Sequence, residues 1–437
     1  MRNTAETSNS ESVSTKLKRI AELARKMPGV PLRTLAHHID INLMREAHAR
    51  TRKDGAPGVD DVTAEEYERD LERNLKSVID RFKSGTYFAP PVLRAYIPKA
   101  DGGQRPLGIP TFEDKVLQRA VTMVLGAVYE QDFLPTSYAY RPKIGALHAL
   151  RDLRKELMAM GGGWVYEADI KSFFGSMVHT HMRSFLDQRV QDGVIRRMID
   201  KWLKAGVMEE GRVQYPEDGS PQGGVISPLL ANTYLHEVLD VWFEKIVQPR
   251  LRGRARLIRY ADDFVICFER EDDARQIAEV LPKRFAKYGL TLHPDKTRLF
   301  HYGRPDKGGD EPPSFGFLGF THYWARSRSG QWVIKRKTIA RRLARKAHEI
   351  WLWCRFNRHE PMQFQRDRLA SRLLGYYNYF GITCNYEALE TLFRNVRRGW
   401  RYWLSRRSQR AKITWRSFAD IEKRFPLPKP RIVHQWV

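Results

Sequence analysis

The chain has 437 residues, with 76 Lys and Arg against 51 Asp and Glu, so its net charge is +25 and its pI is about 10.0. At roughly 100–200 residues per domain the length predicts two to four domains, and the 42% hydrophobic and 29% charged fractions exclude a disordered or collagen-like chain. The sequence shows neither a signal-peptide pattern nor an apolar run near the roughly 20 residues that span a bilayer. Three widely spaced cysteines predict neither a disulfide framework nor a Cys-rich zinc site. We therefore expect a soluble, intracellular, multidomain protein with no membrane partner.

The N-terminal part is predicted to be helical after a polar start. Residues 1–14 carry no apolar pattern and predict a disordered tail. Apolar residues at helical spacing then predict helices at about Thr15 to Met27, Leu32 to Arg52 and Ala64 to Lys83. We interpret residues 15–85 as a helical extension.

Strand and helix patterns mix over residues 86–320. The predicted elements are a strand at Val92–Pro98, a hairpin turn at Asp101–Gly103, a helix at Glu113–Glu130, a strand at Trp164–Ile170, helices at Arg196–Ala205 and Gln222–Val247, a β-hairpin at Leu257–Phe268 and a helix at Asp272–Tyr288. This mixture predicts an α+β domain.

The last 117 residues, 321–437, are mainly helical in pattern and strongly basic. They hold 27 Lys and Arg against 7 Asp and Glu, a net charge of +20, and eight of the eleven Trp. A charge run is most often a solvated face, but such faces are mixed in sign and poor in aromatic residues. Cations for phosphates beside flat rings favour a nucleic-acid-binding module, with many of the Trp packing its own core.

Three carboxylates could hold metal ions. Asp169 follows an apolar strand, and Asp262 and Asp263 lie at the tip of the later hairpin. Rigid elements that converge from different parts of the chain suit a carboxylate metal site, and two divalent ions about 3.5–4 Å apart can drive phosphoryl transfer. Taken alone, Asp-Asp is usual at a turn and a single Asp is a common helix cap, so the surrounding motifs decide the matter.

Those motifs form an ordered set. In chain order they are Tyr96-Ile-Pro-Lys-Ala-Asp-Gly-Gly-Gln-Arg-Pro-Leu-Gly-Ile-Pro110, Ser137-Tyr-Ala-Tyr-Arg-Pro142, Asp169-Ile-Lys-Ser-Phe-Phe174, Ser220-Pro-Gln-Gly-Gly224, Tyr260-Ala-Asp-Asp263, Lys296-Thr297, Phe317-Leu-Gly-Phe320 and Gly375-Tyr-Tyr-Asn-Tyr-Phe-Gly381. Their order and spacing resemble the reverse transcriptase family, and more closely the bacterial group II intron-encoded reverse transcriptase/maturases. The resemblance covers nearly everything from about Gly55 to the C-terminus.

The resemblance implies a right-hand polymerase: fingers and palm over 86–320, with an antiparallel sheet and packed helices, then a mainly helical, basic thumb/maturase domain over 321–437. Asp169, Asp262 and Asp263 would bind two Mg²⁺ ions. The other implied roles are contact of Lys99 and Arg105 with the incoming triphosphate, proximity of Gln222 to the nucleotide, and neutralisation or protonation of departing pyrophosphate by Lys296. Within the basic domain we expect RNA binding by Arg394, Arg397, Arg398, Arg401, Arg406 and Arg407.

Phe174 stands where the family places a bulky ring beside the sugar 2′ position. An apolar wall there predicts selection of dNTPs over NTPs, whereas we expect the neighbouring Phe173 to be a core residue. The chain departs from the family in having Gly175 where Asp is common. It also shows no Cys/His cluster after the basic region, so we expect the form that lacks the DNA endonuclease domain.

The leading hypothesis is an RNA-directed DNA polymerase that binds group II intron RNA, assists its splicing and copies it into cDNA during intron mobility. Its expected partners are the intron RNA, an RNA template with a DNA primer, dNTPs and target DNA, and its expected location is the bacterial cytoplasm, at the nucleoid in action. Two alternatives remain open: a non-enzymatic RNA-binding splicing factor on a polymerase scaffold, and a domesticated reverse transcriptase serving phage defence or spacer acquisition.

Overall fold

The computed structural model of the chain describes residues 4–98, 102–215, 219, 223–305, 313–408 and 412–436. They form two compact units. The first unit contains residues 1–145, 166–266 and 272–299, and the second contains 146–165, 267–271 and 300–437. None of the described helices combines the length and the apolar character needed to cross a membrane.

Helices and strands follow one another along the whole chain. Up to residue 203 they are α1 (Thr4–Lys26), α2 (Ile41–Arg50), α3 (Ala64–Arg69), α4 (Leu71–Ser84), β1 (Val92–Pro98), β2 (Gln104–Ile109), α5 (Phe112–Tyr129), α6 (Ala146–Ala159), β3 (Trp164–Asp169), α7 (His179–Asp187) and α8 (Gly193–Leu203). Beyond it they are β4 (Val207–Glu209), β5 (Arg212–Gln214), α9 (Ser227–Leu235), β6 (Ala255–Tyr260), β7 (Asp263–Phe268), α10 (Glu271–Lys287), β8 (Arg298–His301), β9 (Phe315–Phe317), β10 (Phe320–Arg326), β11 (Trp332–Thr338), α11 (Ala340–Phe356), α12 (Met362–Phe380), α13 (Tyr386–Leu404) and α14 (Trp415–Arg424).

The first two helices begin at other residues than the sequence predicts, and the helix predicted at Ala64 to Lys83 is divided at Asp70 into α3 and α4. Helix α1 begins at Thr4, so the disordered tail predicted for 1–14 is helical from residue 4. No Gly or Pro interrupts this segment, and extending an existing helix costs far less than nucleating one. Helix α2 begins later than predicted because the Asp40 side chain caps it, accepting a hydrogen bond of 3.0 Å from the Leu43 N–H.

Two four-stranded sheets organise the α+β part. One has the order β2-β1-β4-β5, in which β1 and β2 form the antiparallel hairpin that the sequence predicts. The other has the order β6-β7-β3-β8, which brings the end of β3 beside the start of β7. Helix α5 is the main apolar support of the first unit, with Val116, Leu117 and Val121 fully buried.

The predicted long helix over 222–247 begins at Ser227 and stays helical to Val247, with a change of hydrogen-bond pattern along the way. Helix α9 ends at Leu235, and two π-helical turns follow at His236–Asp240 and Phe243–Val247. A π-helical turn adds a residue to the helical repeat and so redirects the side chains that follow it. Asp240, the last residue of the first such turn, is fully buried.

The second unit combines a three-stranded sheet, order β11-β10-β9, with helices α11 to α14. The helices pack around Trp400, which is fully buried and donates its indole N–H to Gln365 Oε1 at 2.9 Å. The mixture of strands and helices in the first unit and the four helices at the end of the chain confirm the predicted α+β class followed by a mainly helical region. The boundary predicted between 320 and 321 falls inside this unit, because β10 begins at Phe320 and pairs with both β9 and β11.

Candidate active site

Three carboxylates lie at neighbouring strand ends in the first unit. Asp169 is the last residue of β3, and Asp262 and Asp263 belong to the turn between β6 and β7, which we call the acidic turn (Tyr260–Asp263). Ala261 in this turn has φ of +57°, the left-handed conformation that a two-residue strand connection requires. The apolar strands on either side are buried, so the sequence fixes the turn and its carboxylates at one edge of the sheet.

Crowding of negative charge governs the electrostatics of this edge. Burial and the charge of Asp169 raise the pKa of Asp262. Burial raises the pKa of Asp263 to about 8, with the charges of Asp169, Asp262 and Glu167 adding to the effect. The carboxylates therefore repel one another, and a cation placed among them would relieve that repulsion.

Lys296 supplies positive charge at the same edge. It ends a short 3₁₀ turn at Pro294–Lys296. His293, just before this turn, donates its backbone N–H to the Asp169 backbone carbonyl at 2.8 Å. The Lys296 ammonium donates to Asp169 Oδ2, and this hydrogen bond raises the pKa of Lys296. Its side chain remains 58% exposed, so it can reach a ligand without a large rearrangement.

The donor set fits a hard divalent cation. Mg²⁺ prefers carboxylate oxygens, and Asp169, Asp262 and Asp263 are the residues that would hold it. Across the described part of the chain, no three or more His, Cys, Asp or Glu side chains form a closed cluster around one point. At this edge, the Lys296 ammonium occupies one oxygen of Asp169.

The β1–β2 hairpin brings a further cation toward the acidic turn. Arg105 lies on β2 opposite Ile97, is exposed, and is close enough for its charge to lower the pKa of Asp262 against the larger effect of burial. Lys99, predicted to act beside it, lies outside the described residues.

Gln222 also lies outside the described residues, but Gly219 before it and Gly223 after it are described, and both make close backbone contacts. Gly219 donates its N–H to the Met177 carbonyl at 2.9 Å, and a Cβ on it would lie 2.9 Å from the Phe174 carbonyl. Gly223 has φ of +124°, and a Cβ there would come within 2.5 Å of the Gly108 carbonyl oxygen on β2. Glycine is therefore required at both positions by close backbone approach.

The predicted gate residue and its neighbour occupy different environments. Phe173 is buried in the core, whereas Phe174 is half-buried and packs edge-to-face against it at a ring-centroid distance of 5.4 Å. Gly175, where the family often has Asp, is exposed, and a Cβ added there would meet open space. The backbone thus leaves room for a larger residue at 175.

Sequence reasoning missed two residues at this site. Glu167 contributes to the raised pKa of Asp263 and accepts a hydrogen bond of 2.7 Å from Arg298. The period of two along β3 could have found it, because residues 167 and 169 point to the same face. Tyr140 is 59% exposed with φ of +57°, and after burial the charge of Asp262 is the largest cause of its raised pKa.

The six arginines predicted to bind RNA divide into two groups in the second unit. Arg397 forms a two-bonded ion pair with Glu422 at 2.6 Å, and Arg401 and Arg407 donate to backbone carbonyls. These three are half-buried. The other three are exposed, namely Arg394, Arg398 and Arg406.

A cationic cleft lies between α11 and α12 of the same unit. It has a volume of about 440 Å³ and is lined by Arg342, Arg345, Lys346 and Arg372, with Glu349 as its carboxylate. Glu349 pairs with Lys346 at 2.9 Å, so the cleft keeps an excess of positive charge. Its cations lie outside the set predicted from the sequence, which was centred on α13.

Comparison with known proteins gives the class. The profile of the family described as reverse transcriptase (RNA-dependent DNA polymerase) matches residues 97–322, just over half of the chain. The match contains the three aspartates, Lys296 and the whole of β2 with Arg105. The chain therefore belongs to the reverse transcriptase family.

Particular relatives refine this assignment. Protein YkfC of Escherichia coli K12 is 32% identical over 311 residues, covering 63% of this chain and 78% of YkfC. The group II intron-encoded protein LtrA of Lactococcus lactis subsp. cremoris is 39% identical over 345 residues, covering 64% of this chain and 55% of LtrA. Nuclear intron maturase 2, mitochondrial, of Arabidopsis thaliana is 27% identical over 233 residues, covering 44% of this chain and 30% of that protein. The resemblance to group II intron-encoded proteins is confirmed, and the chain spans about half of LtrA.

Proposed function

We propose that this protein is a Mg²⁺-dependent RNA-directed DNA polymerase that binds group II intron RNA, assists its splicing and copies it into cDNA. The observation that carries the proposal is the gathering of Asp169, Asp262 and Asp263 at neighbouring strand ends, with the pKa of Asp263 raised to about 8. Such a cluster is costly for a fold and useful for binding cations.

The chain's own residues have distinct roles in this proposal. When bound, Mg²⁺ would supply Lewis-acid stabilisation of the attacking and leaving oxygens of nucleotidyl transfer. Asp169, Asp262 and Asp263 would hold it in place. Lys296 stays charged beside Asp169 and is exposed enough to neutralise or protonate departing pyrophosphate. Arg105, with Lys99 as its predicted partner, would bind the triphosphate through charge-assisted hydrogen bonds.

Intron binding is proposed from the relatives and from the charge of the second unit. LtrA is by name a group II intron-encoded protein, and the Arabidopsis relative is by name an intron maturase. The cationic cleft and the exposed Arg394, Arg398 and Arg406 offer phosphate contacts for a folded RNA or for a template–product duplex. Splicing itself would be catalysed by the RNA, with the protein stabilising its active fold.

Primer extension on an RNA template tests the polymerase. We expect Mg²⁺-dependent cDNA from the wild-type protein and none from Asp262→Asn, while Asp54→Asn, an exposed carboxylate paired with Arg52, serves as the matched control. Absence of cDNA together with stimulated intron splicing would instead favour the non-enzymatic splicing factor. Robust cDNA synthesis by a protein whose gene lies outside any structured intron RNA would favour a domesticated enzyme.

Selection of the sugar is tested at Phe174. Because its ring is half-buried, we expect Phe174→Ala to leave the protein folded and to open space at the sugar. Discrimination against NTPs should then fall by about tenfold or more, the range expected when a pocket loses its ability to exclude a hydroxyl group. Single-nucleotide incorporation with matched dNTP and NTP pairs measures this, and unchanged discrimination would exclude the gate role.

A further inference from the structure

Arg259 is a charged residue buried inside an apolar strand. It lies on β6 directly before the acidic turn and is fully buried, as is its partner Asp240. A buried ion pair is expensive in desolvation, and apolar residues of similar size often replace one without loss of stability. The stability of the fold is therefore not a sufficient reason for this pair.

Every N–H donor of the Arg259 guanidinium is used. The five donated bonds run from Nε to Asp240 Oδ1 at 2.7 Å, from Nη2 to Asp240 Oδ2 at 2.5 Å and to Ser137 Oγ at 2.8 Å, and from Nη1 to Asn232 Oδ1 and to the Ala261 carbonyl, both at 3.2 Å. A guanidinium has five such donors in a rigid planar fork. Here the fork connects three separate segments of the chain: the segment at Ser137, the helical stretch that carries Asn232 and Asp240, and the turn at Ala261.

One of these segments is the acidic turn itself. Ala261 holds a left-handed conformation, which is strained for a residue other than glycine and persists only where the surroundings impose it. The Arg259 side chain binds the carbonyl of this residue, which lies between Tyr260 and Asp262. It therefore fixes the backbone that carries Asp262 and Asp263.

A second segment carries Tyr140. The Arg259 backbone accepts from the Tyr138 N–H at 3.0 Å, and Asn232, itself bound by Arg259, donates to the Ala139 carbonyl at 2.7 Å. Tyr140 follows directly, with its left-handed backbone and exposed ring near Asp262. The same guanidinium thus supports two residues with a left-handed backbone, Ala261 in the acidic turn and Tyr140 near Asp262.

We propose that Arg259, held by Asp240, is a positioning residue that sets the geometry of the metal-binding carboxylates Asp262 and Asp263 and the placement of Tyr140. The proposal rests on the proposed function, since it assigns those carboxylates to metal binding. It goes further in naming a buried pair, outside the metal ligands and the substrate contacts, on which their arrangement depends.

Arg259→Lys tests the proposal because lysine keeps the charge and loses the planar fork. The matched control is Arg189→Lys. Arg189 is also buried, binds Asp132 at 2.7 Å and donates to the carbonyls of Ala24, Met27 and Val30, with no hydrogen bond to the acidic turn among the described residues. For each variant we would measure thermal unfolding, primer extension with kcat separated from KM for dNTP, and Mn²⁺ binding to the free protein by electron paramagnetic resonance.

Both substitutions should lower the midpoint of thermal unfolding. Only Arg259→Lys should lower kcat, by at least about 100-fold at saturating primer–template, and weaken Mn²⁺ binding by about tenfold, the losses expected when a metal site is displaced by about an ångström. The KM for dNTP should change far less than kcat. Equal kcat and Mn²⁺ affinity in the two variants would overturn the proposal.

Two further measurements apply if Arg259→Lys does not fold or if the wild-type protein makes no cDNA. If Arg259→Lys does not fold, Asn232→Ala leaves the ion pair intact and removes the bridge to Ala139; we expect it to lower kcat several-fold, and an unchanged kcat would contradict the proposal. If the wild-type protein makes no cDNA, the proposed function fails, but a selective loss of Mn²⁺ affinity in Arg259→Lys would still support the positioning role.

Discussion

The acidic turn and helix α13 both concentrate charge of one sign, and they accommodate it differently. Around the acidic turn, Asp262 and Asp263 crowd together with Asp169 and Glu167 of β3, and the pKa values of Asp262 and Asp263 are raised. On α13, half of the predicted RNA-binding arginines are satisfied internally, as in the pair of Arg397 with Glu422. The first arrangement leaves charge to be balanced by a ligand, whereas the second uses part of its charge to hold the module together.

This difference separates the two functions that a charged region can have. A carboxylate that repels its neighbours contributes binding energy to a cation and little to folding. An arginine that is paired within its own unit contributes to folding and little to RNA binding. Net charge along the sequence, +20 in the last 117 residues, therefore overstates the charge available for phosphates.

The largest expected effect is at the acidic turn. Asp263→Asn should lower kcat for primer extension by about 1,000-fold, because several kcal/mol of transition-state stabilisation by a bound metal would be lost. RNA affinity should stay within about twofold of wild type, since no phosphate contact is removed. Filter binding and single-turnover extension on the same preparation measure both. A parallel loss of RNA affinity would show that the acidic site and RNA binding are not separable.

The second-largest expected effect is a loss of RNA binding at the cationic cleft. Replacing Arg342, Arg345 and Lys346 together by Gln should weaken RNA binding by about 100-fold at moderate salt and reduce the slope of log affinity against log salt by roughly two to three. The control is a triple Gln variant of the exposed Lys204, Lys283 and Lys287 of the first unit. An equal loss in the control would mean that only total charge matters and that the cleft has no special role.

The third prediction concerns the metal requirement and pH. Since a carboxyl group must lose its proton to bind a metal, and the pKa of Asp263 is about 8, Mg²⁺ competes with a proton below that pH. The Mg²⁺ concentration for half-maximal extension should fall about fivefold between pH 7 and pH 8, as the ionised fraction rises from about a tenth to a half. Saturating Mg²⁺ should remove most of this dependence. A requirement that does not change with pH would indicate that Asp263 is already ionised at pH 7.

The same comparison explains what the sequence could predict. The convergence of Asp169 with Asp262 and Asp263 follows from strand ends and a hairpin tip, which are local patterns read directly along the chain. The buried fork of Arg259 depends on Asp240, 19 residues away, and on Ser137, 122 residues away. No periodicity reports such a pairing, so the charged residue inside an apolar strand was its only signal.

The arginines of α13 show the same limit. Helical spacing separates the faces of the helix but does not say which face meets a carboxylate. Glu422, which neutralises Arg397, lies on α14, 25 residues away. The metal-binding role of the three aspartates and the RNA-binding role of the exposed arginines both stay predictions until they are measured.

The smallest expected effect distinguishes two arginines of α13, Arg397 and Arg394. Arg397→Gln removes a two-bonded, partly buried ion pair, so we expect a loss of about 1–2 kcal/mol in the free energy of unfolding and a fall of a few degrees in Tm. The salt slope of RNA binding should not change. Arg394→Gln, three residues earlier on the same helix and exposed, should leave Tm unchanged and reduce the slope by roughly one. If Arg397→Gln changed the slope and not Tm, then its pairing with Glu422 would not persist in solution, and the distinction between structural and RNA-facing arginines would fail on this helix.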